Sequence, residues 1–543
     1  MEEVSSVAER VGGCTDDWQH VRDYEDREGV DRSFIDEHEG PVAHRNGGCN
    51  GTLIGDGLLL TVRHSGCASS GSMYNMHTQL VVDGDPSQRE DYKSIQVVEN
   101  IADPDVAIMR LPFNPEYRWG AETISLTPPQ VGDQIVIMGN PAGEQKVADV
   151  GTVRSMSSDG YNMGEGDIYS YHGLSGAGVL STASGKLIGL HRAGPEPCPN
   201  PNGGKANAMQ RVADFSEIID SDEASARFYS TKSGGFGDFR SLNVHLSSAW
   251  RHIVRGDFNG DGLDDLLFYE ASGLSRFYRT NSVPQIVGLG PQVTMRPGAA
   301  QLVALQLDGT GPEELYYYNP RPTEGNGLEA FYRTDGSGSL TEIRHQANLG
   351  WNWRLITAGD FASRPGPELL FYADTSYTDE NEQLVTQGTF ALYGTNTNGS
   401  RSHIGSTTVP YSNFSIIVPG QFSRRTVNGF DRDEIVAYDV FDRSVHFFSF
   451  DDSGTSSEIA SLGGLPLITQ ITTGKFNTSA PDFRSQLMFY SPVTGDMSWY
   501  SVSEGSLSLL TTNNQRKSWG FLIAGHYRST STSDLMLYDR YRH

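Results

Sequence analysis

Three polar side chains, at positions 64, 105 and 175, could together carry out nucleophilic catalysis. A serine hydroxyl is a poor nucleophile at neutral pH unless a neighbouring base accepts its proton. His64 can be that base for Ser175, and Asp105 can hold the imidazole in the required tautomer and stabilise the imidazolium. Taken singly, each residue also has a plain interpretation, as a surface histidine, a turn aspartate and a turn serine.

The stretch YHGLSGAGVL, residues 171–180, indicates why Ser175 could be reactive. Gly173 and Gly176 leave the backbone free of side chains, so the chain can make a tight turn there. Such a turn can aim the N–H groups of Gly173 and Ser175 at one point, where they would bind a developing oxyanion. A flexible surface turn is the alternative for this motif taken alone.

The elements that must position these residues read as short β-strands. The segment CNGTLIGDGLLLTVRHSGC, residues 49–67, is an alternating apolar stretch that ends at His64. The segment DPDVAIMRL, residues 103–111, is an apolar strand that Asp105 opens. The chain order is therefore histidine, aspartate, serine, each at a strand edge.

These three segments together resemble the chymotrypsin-like serine proteases, which carry the same residues in the same order. The resemblance covers residues 38–215 and implies an all-β fold, a double β-barrel of six strands each. It also implies a disulfide between Cys49 and Cys67, beside the histidine. Cys14 would then pair with Cys198, unless either is free; by count alone, four cysteines allow three pairings.

The sequence departs from the trypsin pattern at three places. Leu174 stands where trypsin relatives have an aspartate that pairs with a new N-terminus, so activation by that ion pair is not expected. Two residues separate His64 from Cys67, and Tyr169 stands where a preference for Lys or Arg would require an aspartate. The resemblance is closer to the bacterial glutamyl-endopeptidase branch and to viral 3C-type proteases.

The segment GKLIGLHRAG, residues 185–194, reads as a strand and carries the prediction of specificity. It resembles the segment that lines the primary pocket in those two branches, where a histidine contacts a Glu or Gln side chain. By this resemblance His191 and Ser170 contact the substrate side chain, and Gly194 lets the substrate backbone pass. We therefore expect cleavage after Glu, with Gln or Asp next. A core histidine bonded to backbone is the alternative for His191.

Composition excludes several classes of partner. The formal net charge of −26 argues against nucleic acid and anionic membranes. No apolar run reaches the roughly 18 residues of a transmembrane helix. The first residues, MEEVSSVAERVGG, do not read as a signal peptide, so the chain is either cytoplasmic or, as we expect, a secreted protein whose leader has been removed. A monomer acting on a protein or peptide substrate is expected.

Residues 1–37 are strongly acidic and read as a solvated lead-in containing at most one short strand or helix, with an inhibitory pro-segment as the alternative. The cysteines all lie in the first 200 residues, which indicates a domain boundary soon afterwards. We place a linker at residues 216–225 and a second domain at 226–543.

Residues 226–543 repeat themselves. A Gly-Asp-Phe signature or a near relative recurs before an aromatic-rich strand, with a period of roughly 50–60 residues typical of β-propellers. The six copies are GDFNGDGLDDLLFY (256–269), LQLDGTGPEELYYY (305–318), GDFASRPGPELLFY (359–372), GQFSRRTVNGFDRDEIVAYD (420–439), GKFNTSAPDFRSQLMFYS (474–491) and GHYRSTSTSDLMLYD (525–539).

The repeats resemble the FG-GAP or VCBS-type repeats of integrin-like and secreted bacterial propellers. The last copy stops after its LMLYDRYRH strand, while a lone ARFYSTKSGG, residues 226–235, precedes the first copy and matches the second half of a blade. The two ends can therefore complete one blade between them. This predicts a six-bladed β-propeller closed between its N- and C-terminal strands, which would bind substrate, a glycan or a partner protein.

The first copy contains a candidate calcium loop, DFNGDGLDD. Its side-chain oxygens alternate around a turn at Gly262, a pattern that suits a hard cation. The predicted ligands are Asp257, Asn259, Asp261, the carbonyl of Leu263, and Asp265. Phe268 stands where an EF-hand requires glutamate, so the loop is not an EF-hand, and a plain Asp-rich turn is the alternative. The predicted catalysis itself needs no cofactor.

The leading hypothesis is thus a secreted serine endopeptidase with a C-terminal propeller. A binding or adhesion protein with a catalytically inactive protease-like domain is the second hypothesis. A glycosidase built on the propeller is the third, although no carboxylate pair or arginine cluster supports it.

Overall fold

A computed structural model gives the fold, and the chain is all-β with a few short helices. The structure describes residues 18–45, 48–77, 89–141, 145–157, 160–163, 168, 173–193, 205–219, 223–231, 237–240, 246–247, 249–280, 286–320, 327–347, 349, 353–362, 364, 366–378, 384–423, 426–427, 430–476, 485–503, 506–528 and 532–540. Within them, the helices are all too short and polar to serve as membrane spans.

The chain divides into two compact units, an amino-terminal unit up to Asp222 and a repeat unit from Glu223. The helices of the first unit are α1 (Arg32–His38), α2 (Glu116–Trp119) and α3 (Met209–Ala213). Its strands are β1 (Gln19–His20), β2 (Val42–Arg45), β3 (Cys49–Gly55), β4 (Leu58–Thr61), β5 (Met73–His77), β6 (Arg89–Lys93), β7 (Gln96–Ile101), β8 (Val106–Arg110), β9 (Gln134–Gly139), β10 (Val147–Ser157), β11 (Gly160–Met163), β12 (Gly178–Ser181), β13 (Leu187–Ala193) and β14 (Lys205–Ala208).

The strands of the amino-terminal unit form two antiparallel sheets. One has the order β6-β5-β2-β3-β4-β8-β7 and encloses apolar side chains such as Leu53, Leu59 and Met109. The other has the order β1-β10-β11-β14-β13-β12-β9, and β10 also pairs with β9. Six of its strands therefore close on themselves around a core that includes Ile137 and Val179.

The described part of the acidic lead-in packs with this unit. Strand β1 pairs with β10, and the Trp18 side chain is buried in the core of the closed sheet. The guanidinium of Arg27 donates to the buried carboxylate of Asp149 at 2.9 Å. Asp31 caps α1 by accepting from the Phe34 N–H at 3.1 Å. The acidic side chains lie outward, while the few apolar ones bury.

The described residues of the repeat unit form six sheets of four or five strands and one small two-stranded hairpin. Sheet 1 is β18 (Trp250–Gly256), β19 (Asp265–Glu270), β20 (Leu274–Arg279), β21 (Val287–Gly288) and β22 (Val293–Thr294). Sheet 2 is β23 (Gln301–Leu305), β24 (Glu314–Asn319), β25 (Leu328–Thr334) and β26 (Leu340–Ala347). Sheet 3 is β27 (Leu355–Gly359), β28 (Glu368–Thr378), β29 (Leu384–Thr395) and β30 (Arg401–Val409).

Sheet 4 is β31 (Phe414–Gly420), β34 (Glu434–Asp439), β35 (Ser444–Phe450) and β36 (Ser456–Leu462), with a small hairpin β32 (Thr426–Val427) and β33 (Phe430–Asp431) between its first two strands. Sheet 5 is β37 (Gln470–Gly474), β38 (Gln486–Tyr490), β39 (Asp496–Ser503) and β40 (Ser506–Asn514). Sheet 6 joins β41 (Phe521–Gly525) and β42 (Asp534–Asp539) to β15 (Glu223–Ser230) and β16 (Gly237–Arg240), and β17 (Leu246–Ser247) pairs with β15.

The first strands of the six sheets contact one another in sequence. Each first strand contacts the first strand of the next sheet, in the order β18, β23, β27, β31, β37 and β41. Strand β41 in turn contacts β18. In sheet 6 the register places Ala226 opposite Tyr538 and Phe228 opposite Met536. The two ends of the repeat unit therefore share one sheet.

The Gly-x-Phe signature has a steric cause. Phe258, Phe361, Phe422 and Phe476 are buried, and in each the ring folds back over the glycine two residues earlier. A Cβ at Gly359 would lie 2.7 Å from the ring of Phe361, which is closer than atoms can pack. The aromatic-rich second strands are buried on both faces; Leu267 and Tyr269 face sheet 2, while Leu266 and Phe268 face sheet 6.

A reciprocal pair of hydrogen bonds joins neighbouring sheets, and we call it the clasp. The residue just before a second strand donates its N–H to the carbonyl of the residue just after the first strand of the preceding sheet, at 2.8–3.1 Å. Its side-chain oxygen accepts from that residue's N–H, at 2.6–3.2 Å. The five clasps are Asp264–His526, Glu313–Asp257, Asp433–Asp360, Ser485–Gln421 and Ser533–Lys475. At the sixth junction Pro367 has no N–H to donate.

The first residue of each second strand, which follows the clasp position, makes hydrogen bonds within its own sheet. In four sheets its side chain accepts from the N–H of the buried turn residue of the same sheet: Glu314 from Leu307, Glu368 from Phe361, Glu434 from Phe422 and Gln486 from Phe476. In those of these sheets that have a clasp, two successive polar residues therefore mark the start of the second strand. The first makes the hydrogen bonds to the neighbouring sheet, and the second accepts a hydrogen bond from the turn of its own sheet.

Candidate active site

The structure places His64, Asp105 and Ser175 in one hydrogen-bonded line. The Nε2 atom of His64 lies 3.1 Å from the Ser175 Oγ, and Nδ1 is hydrogen-bonded to Asp105 Oδ2. The second carboxylate oxygen of Asp105 accepts from the backbone N–H of His64 at 3.0 Å and of Arg63 at 3.1 Å. Asp105 therefore orients the imidazole through Nδ1, and Nε2 faces the Ser175 hydroxyl.

The charge state of Asp105 suits this arrangement. Partial burial raises the pKa of the Asp105 carboxyl, but the hydrogen bond and charge of His64 and the two backbone N–H donors outweigh it. The pKa of Asp105 therefore lies below its usual range, and the carboxylate stays ionised. An ionised carboxylate at Nδ1 keeps the proton there and leaves Nε2 free to accept one from Ser175.

Local structure positions the histidine. Strand β4 ends at Thr61, and a short 3-10 helix, His64–Gly66, follows. Cys49 and Cys67 form the predicted disulfide, which is confirmed and joins the start of β3 to the end of that helix. Cys14 and Cys198 lie outside the described residues. Asp105 directly precedes β8, which pairs antiparallel with β4. The start of β8 therefore lies beside the end of β4, and this places Asp105 close to His64.

Two glycines make the turn around Ser175. Gly173 has φ +100° and Gly176 has φ +92°, a region in which other residues are strained. A Cβ at Gly176 would also lie 2.0 Å from the carbonyl oxygen of Asn50. The Gly176 N–H donates to the His191 carbonyl at 2.8 Å, which fixes the turn against β13. Among the described residues no acceptor faces the Ser175 N–H.

Asn50 was not predicted from the sequence, yet it makes two hydrogen bonds to this turn. It is fully buried in β3. Its backbone N–H donates to the Ser175 carbonyl at 2.7 Å, and its Nδ2 donates to the Gly173 carbonyl at 2.6 Å. The one available signal was a carboxamide side chain, directly after a cysteine, in a strand of mostly small and apolar residues.

Of the three predicted pocket residues, the structure describes His191; Ser170 and Gly194 lie outside the described residues. His191 lies on β13, is 1% exposed, and donates its backbone N–H to the Ala177 carbonyl at 2.8 Å. Burial, with a smaller contribution from the charge of His64, lowers the pKa of His191 to about 4. The imidazole is therefore neutral at physiological pH.

By the resemblance drawn from the sequence, Leu174 stands where trypsin relatives carry their activating aspartate. It is buried in the same apolar cluster as Trp18, Ile137 and Val179. A charged amino terminus could not be accommodated there without a large desolvation cost. The turn that carries Ser175 is instead anchored by apolar packing.

The loop predicted to bind calcium makes its own hydrogen bonds. The Asp257 carboxylate accepts from Gly260, Asp261 and Gly262 N–H groups. Asp265 is buried, and its Oδ2 has no partner. Burial, followed by the negative charges of Asp261 and Asp257, raises the pKa of Asp265 to about 7. Across the described residues, no three or more His, Cys, Asp and Glu side chains are gathered closely enough to hold a metal ion.

One protein-family model matches part of the amino-terminal unit. Residues 49–190 match the family model of the trypsin-like peptidase domain, a segment that contains all three aligned residues. This segment is therefore a trypsin-like peptidase domain, and it occupies well under half of the 543 residues. No curated protein matches the chain.

Two solved structures are also similar to part of the chain. The active form of the Rv3671c protease from M. tuberculosis is 17% identical, with 33% of this chain and 81% of that chain covered and a TM-score of 0.27. The MamO protease domain from Magnetospirillum magneticum is 15% identical, with 33% and 97% covered and a TM-score of 0.26. At these TM-scores the similarities support no further conclusion.

Proposed function

We propose that the protein is a serine endopeptidase in which Ser175 is the nucleophile, His64 the general base and Asp105 the residue that orients it. The observation that carries the proposal is the position of His64, hydrogen-bonded at once to Asp105 and to the Ser175 Oγ. The match of the surrounding segment to the trypsin-like peptidase domain supports it.

The geometry supports a two-step acyl transfer. Ser175 Oγ attacks the peptide carbonyl while its proton passes to His64 Nε2, and Asp105 stabilises the imidazolium. The oxygen of the tetrahedral intermediate accepts hydrogen bonds from the N–H groups of Gly173 and Ser175. The imidazolium then protonates the leaving amine as the C–N bond breaks. Water repeats the sequence on the acyl-enzyme, releases the acid and returns the proton to Ser175.

Specificity for Glu, with Gln or Asp next, is part of the proposal. The low pKa of His191 supports a neutral imidazole, which can donate a hydrogen bond to a carboxylate or an amide without a cationic partner. Ser170 would supply a second donor, and Gly194 would leave room for the substrate backbone. The His191→Ala variant should lose the preference for Glu while Ser175 still reacts.

A peptide-library cleavage profile tests both parts. Wild type should cleave after Glu, while Ser175→Ala and His64→Ala should lose hydrolysis by several orders of magnitude without unfolding. Undiminished hydrolysis by purified Ser175→Ala would contradict the assignment of the nucleophile. A profile dominated by Lys, Arg or Phe before the cut would contradict the pocket but not the nucleophile.

For the repeat unit we propose a six-bladed propeller, closed between its ends, that binds substrate, a glycan or a partner protein. The shared sheet of β15 and β42 and the cyclic contacts of the first strands support closure. A polar cavity of about 450 Å³ receives residues from all six sheets. It has carboxylates at Glu313, Asp360 and Asp433 and cationic groups at Arg255 and Lys475, which makes it the first place to look for a small polar ligand.

We also propose one calcium ion at the loop of Asp257, Asn259, Asp261, the Leu263 carbonyl and Asp265. The unpartnered, buried Oδ2 of Asp265 supports it, because a cation would offset the cost of ionising that carboxyl. Binding would replace loop N–H donors with the ion. Calcium should raise the unfolding temperature of wild type but not of Asp265→Asn; an equal rise in both would contradict the site. Secretion and a monomeric state complete the proposal.

A further inference from the structure

Asn50 has a complete set of hydrogen bonds that joins three segments around the nucleophile. The backbone N–H donates to Ser175, and the backbone carbonyl accepts from Thr61 Oγ1 at 2.6 Å. The carboxamide Nδ2 donates to the carbonyls of Gly173, at 2.6 Å, and Asn140, at 3.2 Å. Its Oδ1 accepts from the Asn140 N–H at 2.8 Å. Every donor of this buried residue is therefore used.

These bonds act on the peptide groups that flank the oxyanion-binding N–H of Ser175. The Gly173 carbonyl belongs to the peptide group before Leu174, and the Ser175 carbonyl belongs to the one before Gly176. Asn50 holds both, one through its side chain and one through its backbone. The peptide group between Leu174 and Ser175, which carries the N–H in question, is thus fixed from either side.

The same residue also connects the serine turn to the histidine. Thr61, which donates to the Asn50 carbonyl, ends β4, three residues before His64. Asn140, which exchanges two hydrogen bonds with the Asn50 carboxamide, directly follows β9 of the closed sheet. Asn50 itself lies on β3 of the other sheet, beside the disulfide of Cys49.

We propose that Asn50 is a positioning residue for the oxyanion-binding turn of the proposed peptidase, acting through the Gly173 and Ser175 carbonyls. The inference rests on the proposed function for its catalytic consequence. A misplacement of about 1 Å at such a turn typically costs about 100-fold in rate. The carboxamide, and not merely a side chain of that size, is required, because two carbonyl oxygens face its Nδ2.

The variant Asn50→Asp tests the inference because it changes one donor into an acceptor at equal size. The ionised carboxylate would face the carbonyls of Gly173 and Asn140 and push the first away. We expect kcat on a Glu-containing peptide from the library to fall about 100-fold with KM unchanged. The rate of labelling by a fluorophosphonate should fall in parallel, while the unfolding temperature changes by an amount comparable to that of the control.

The control is Asn75→Asp. Asn75 is a buried asparagine of the same sheet, and its Nδ2 donates at 3.4 Å to the carbonyl of His44, the residue opposite Asn50 in the β2–β3 register. It should lower stability and leave kcat as in wild type. Asn50→Ser, which removes the carboxamide but keeps the backbone bonds, serves as the second variant if Asn50→Asp does not fold; it too should lower kcat.

A pH profile separates positioning from general destabilisation. The buried carboxyl introduced by Asn50→Asp would face two carbonyls, so it should bind a proton as pH falls, and its hydroxyl can then donate to the Gly173 carbonyl. The ratio of kcat for Asn50→Asp to kcat for wild type should therefore rise as pH falls. A flat ratio, or a folded Asn50→Asp with wild-type kcat, would overturn the inference.

Crystal structures of wild type and Asn50→Asp give a readout that needs no activity. We expect the peptide group between Gly173 and Leu174 to rotate in the variant, and an unchanged peptide plane would overturn the inference. Failure of the proposed function is a different result, since wild type itself would then neither hydrolyse peptides nor react with the fluorophosphonate. In that case the crystallographic comparison alone decides whether Asn50 positions the turn.

Discussion

The two units of this chain use hydrogen bonds in opposite ways. In the amino-terminal unit, single residues far apart in the sequence, such as Asp105 and Ser175, meet at one histidine. In the repeat unit, one pair of bonds recurs at five of six junctions. Damage to the first should therefore abolish the proposed catalysis at one point, whereas damage to the second should destabilise several neighbouring sheets.

The largest effect expected in the repeat unit comes from removing residues 519–543. This deletion removes β41 and β42, so β15 loses its pairing with β42 and the contacts between β41 and its neighbours disappear. Exposed strand edges are costly, and closure hides them. We expect the repeat unit to lose its cooperative unfolding transition in calorimetry while fluorophosphonate labelling at Ser175 persists. A repeat unit that unfolds as in the full chain would contradict closure.

The second effect concerns the acidic lead-in. Because β1 and Trp18 pack against the closed sheet, deletion of residues 1–37 should lower the unfolding temperature of the amino-terminal unit and reduce hydrolysis. An inhibitory pro-segment would behave differently, since its removal would raise activity. Rates of hydrolysis before and after deletion decide between them.

The third effect is a pH dependence of the repeat unit. Burial, as the largest cause, raises the pKa of Glu368 to about 7, so the folded chain holds a proton there that the unfolded chain releases near pH 4. Stability from this group is present at low pH and is lost as pH rises from about 4 to about 7. Glu368→Gln should flatten the decline of the unfolding temperature in that window. A decline as steep as in wild type would contradict this contribution.

The fourth effect is at the proposed substrate pocket around His191. Because the pKa of His191 is lowered to about 4, its charge should not change between pH 6 and pH 8. The ratio of kcat/KM for matched Glu and Gln peptides should therefore stay constant over that range. A ratio that falls steeply as pH rises would show instead that a protonated imidazole recognises the substrate.

The smallest effect comes from one clasp. Ser485→Ala removes the acceptor for the Gln421 N–H and should cost about 1 kcal/mol of the free energy of unfolding. Ser457→Ala, an exposed serine on the outermost strand of sheet 4, is the matched control and should cost nothing measurable. Equal effects of the two substitutions would show that the clasp contributes little.

The sequence predicted the features that depend on reactive residue types in a known order or on a regular repeat. The order of His64, Asp105 and Ser175, with their flanking apolar strands, was sufficient to predict that the three side chains lie close together. The repeats indicated six β-rich segments. Asn50 could not be predicted, because its role depends on Gly173 and Asn140, which are distant in sequence. The lead-in looked solvated because charge dominates its composition, whereas its packing depends on a few residues such as Trp18.

The clasps also escaped prediction. Asp264, Asp433 and Ser485 read as ordinary turn residues, since a side-chain acceptor for the next sheet carries no local pattern. Pro367 stands at the same position and makes no such bond, so an alignment of the repeats does not show a common donor residue at this position. What the sequence does retain is the steric part, the glycine two residues before each buried aromatic ring.

The most direct test of the central claim is the site of covalent labelling. The full chain would be treated with a fluorophosphonate, digested, and the adduct located by mass spectrometry, with His64→Ala and Ser175→Ala treated alongside. The proposed mechanism predicts one adduct, on Ser175 of the folded wild type, with labelling strongly reduced in His64→Ala and absent in Ser175→Ala. A wild-type chain that stays unlabelled at Ser175, or that labels equally well without His64, would contradict it.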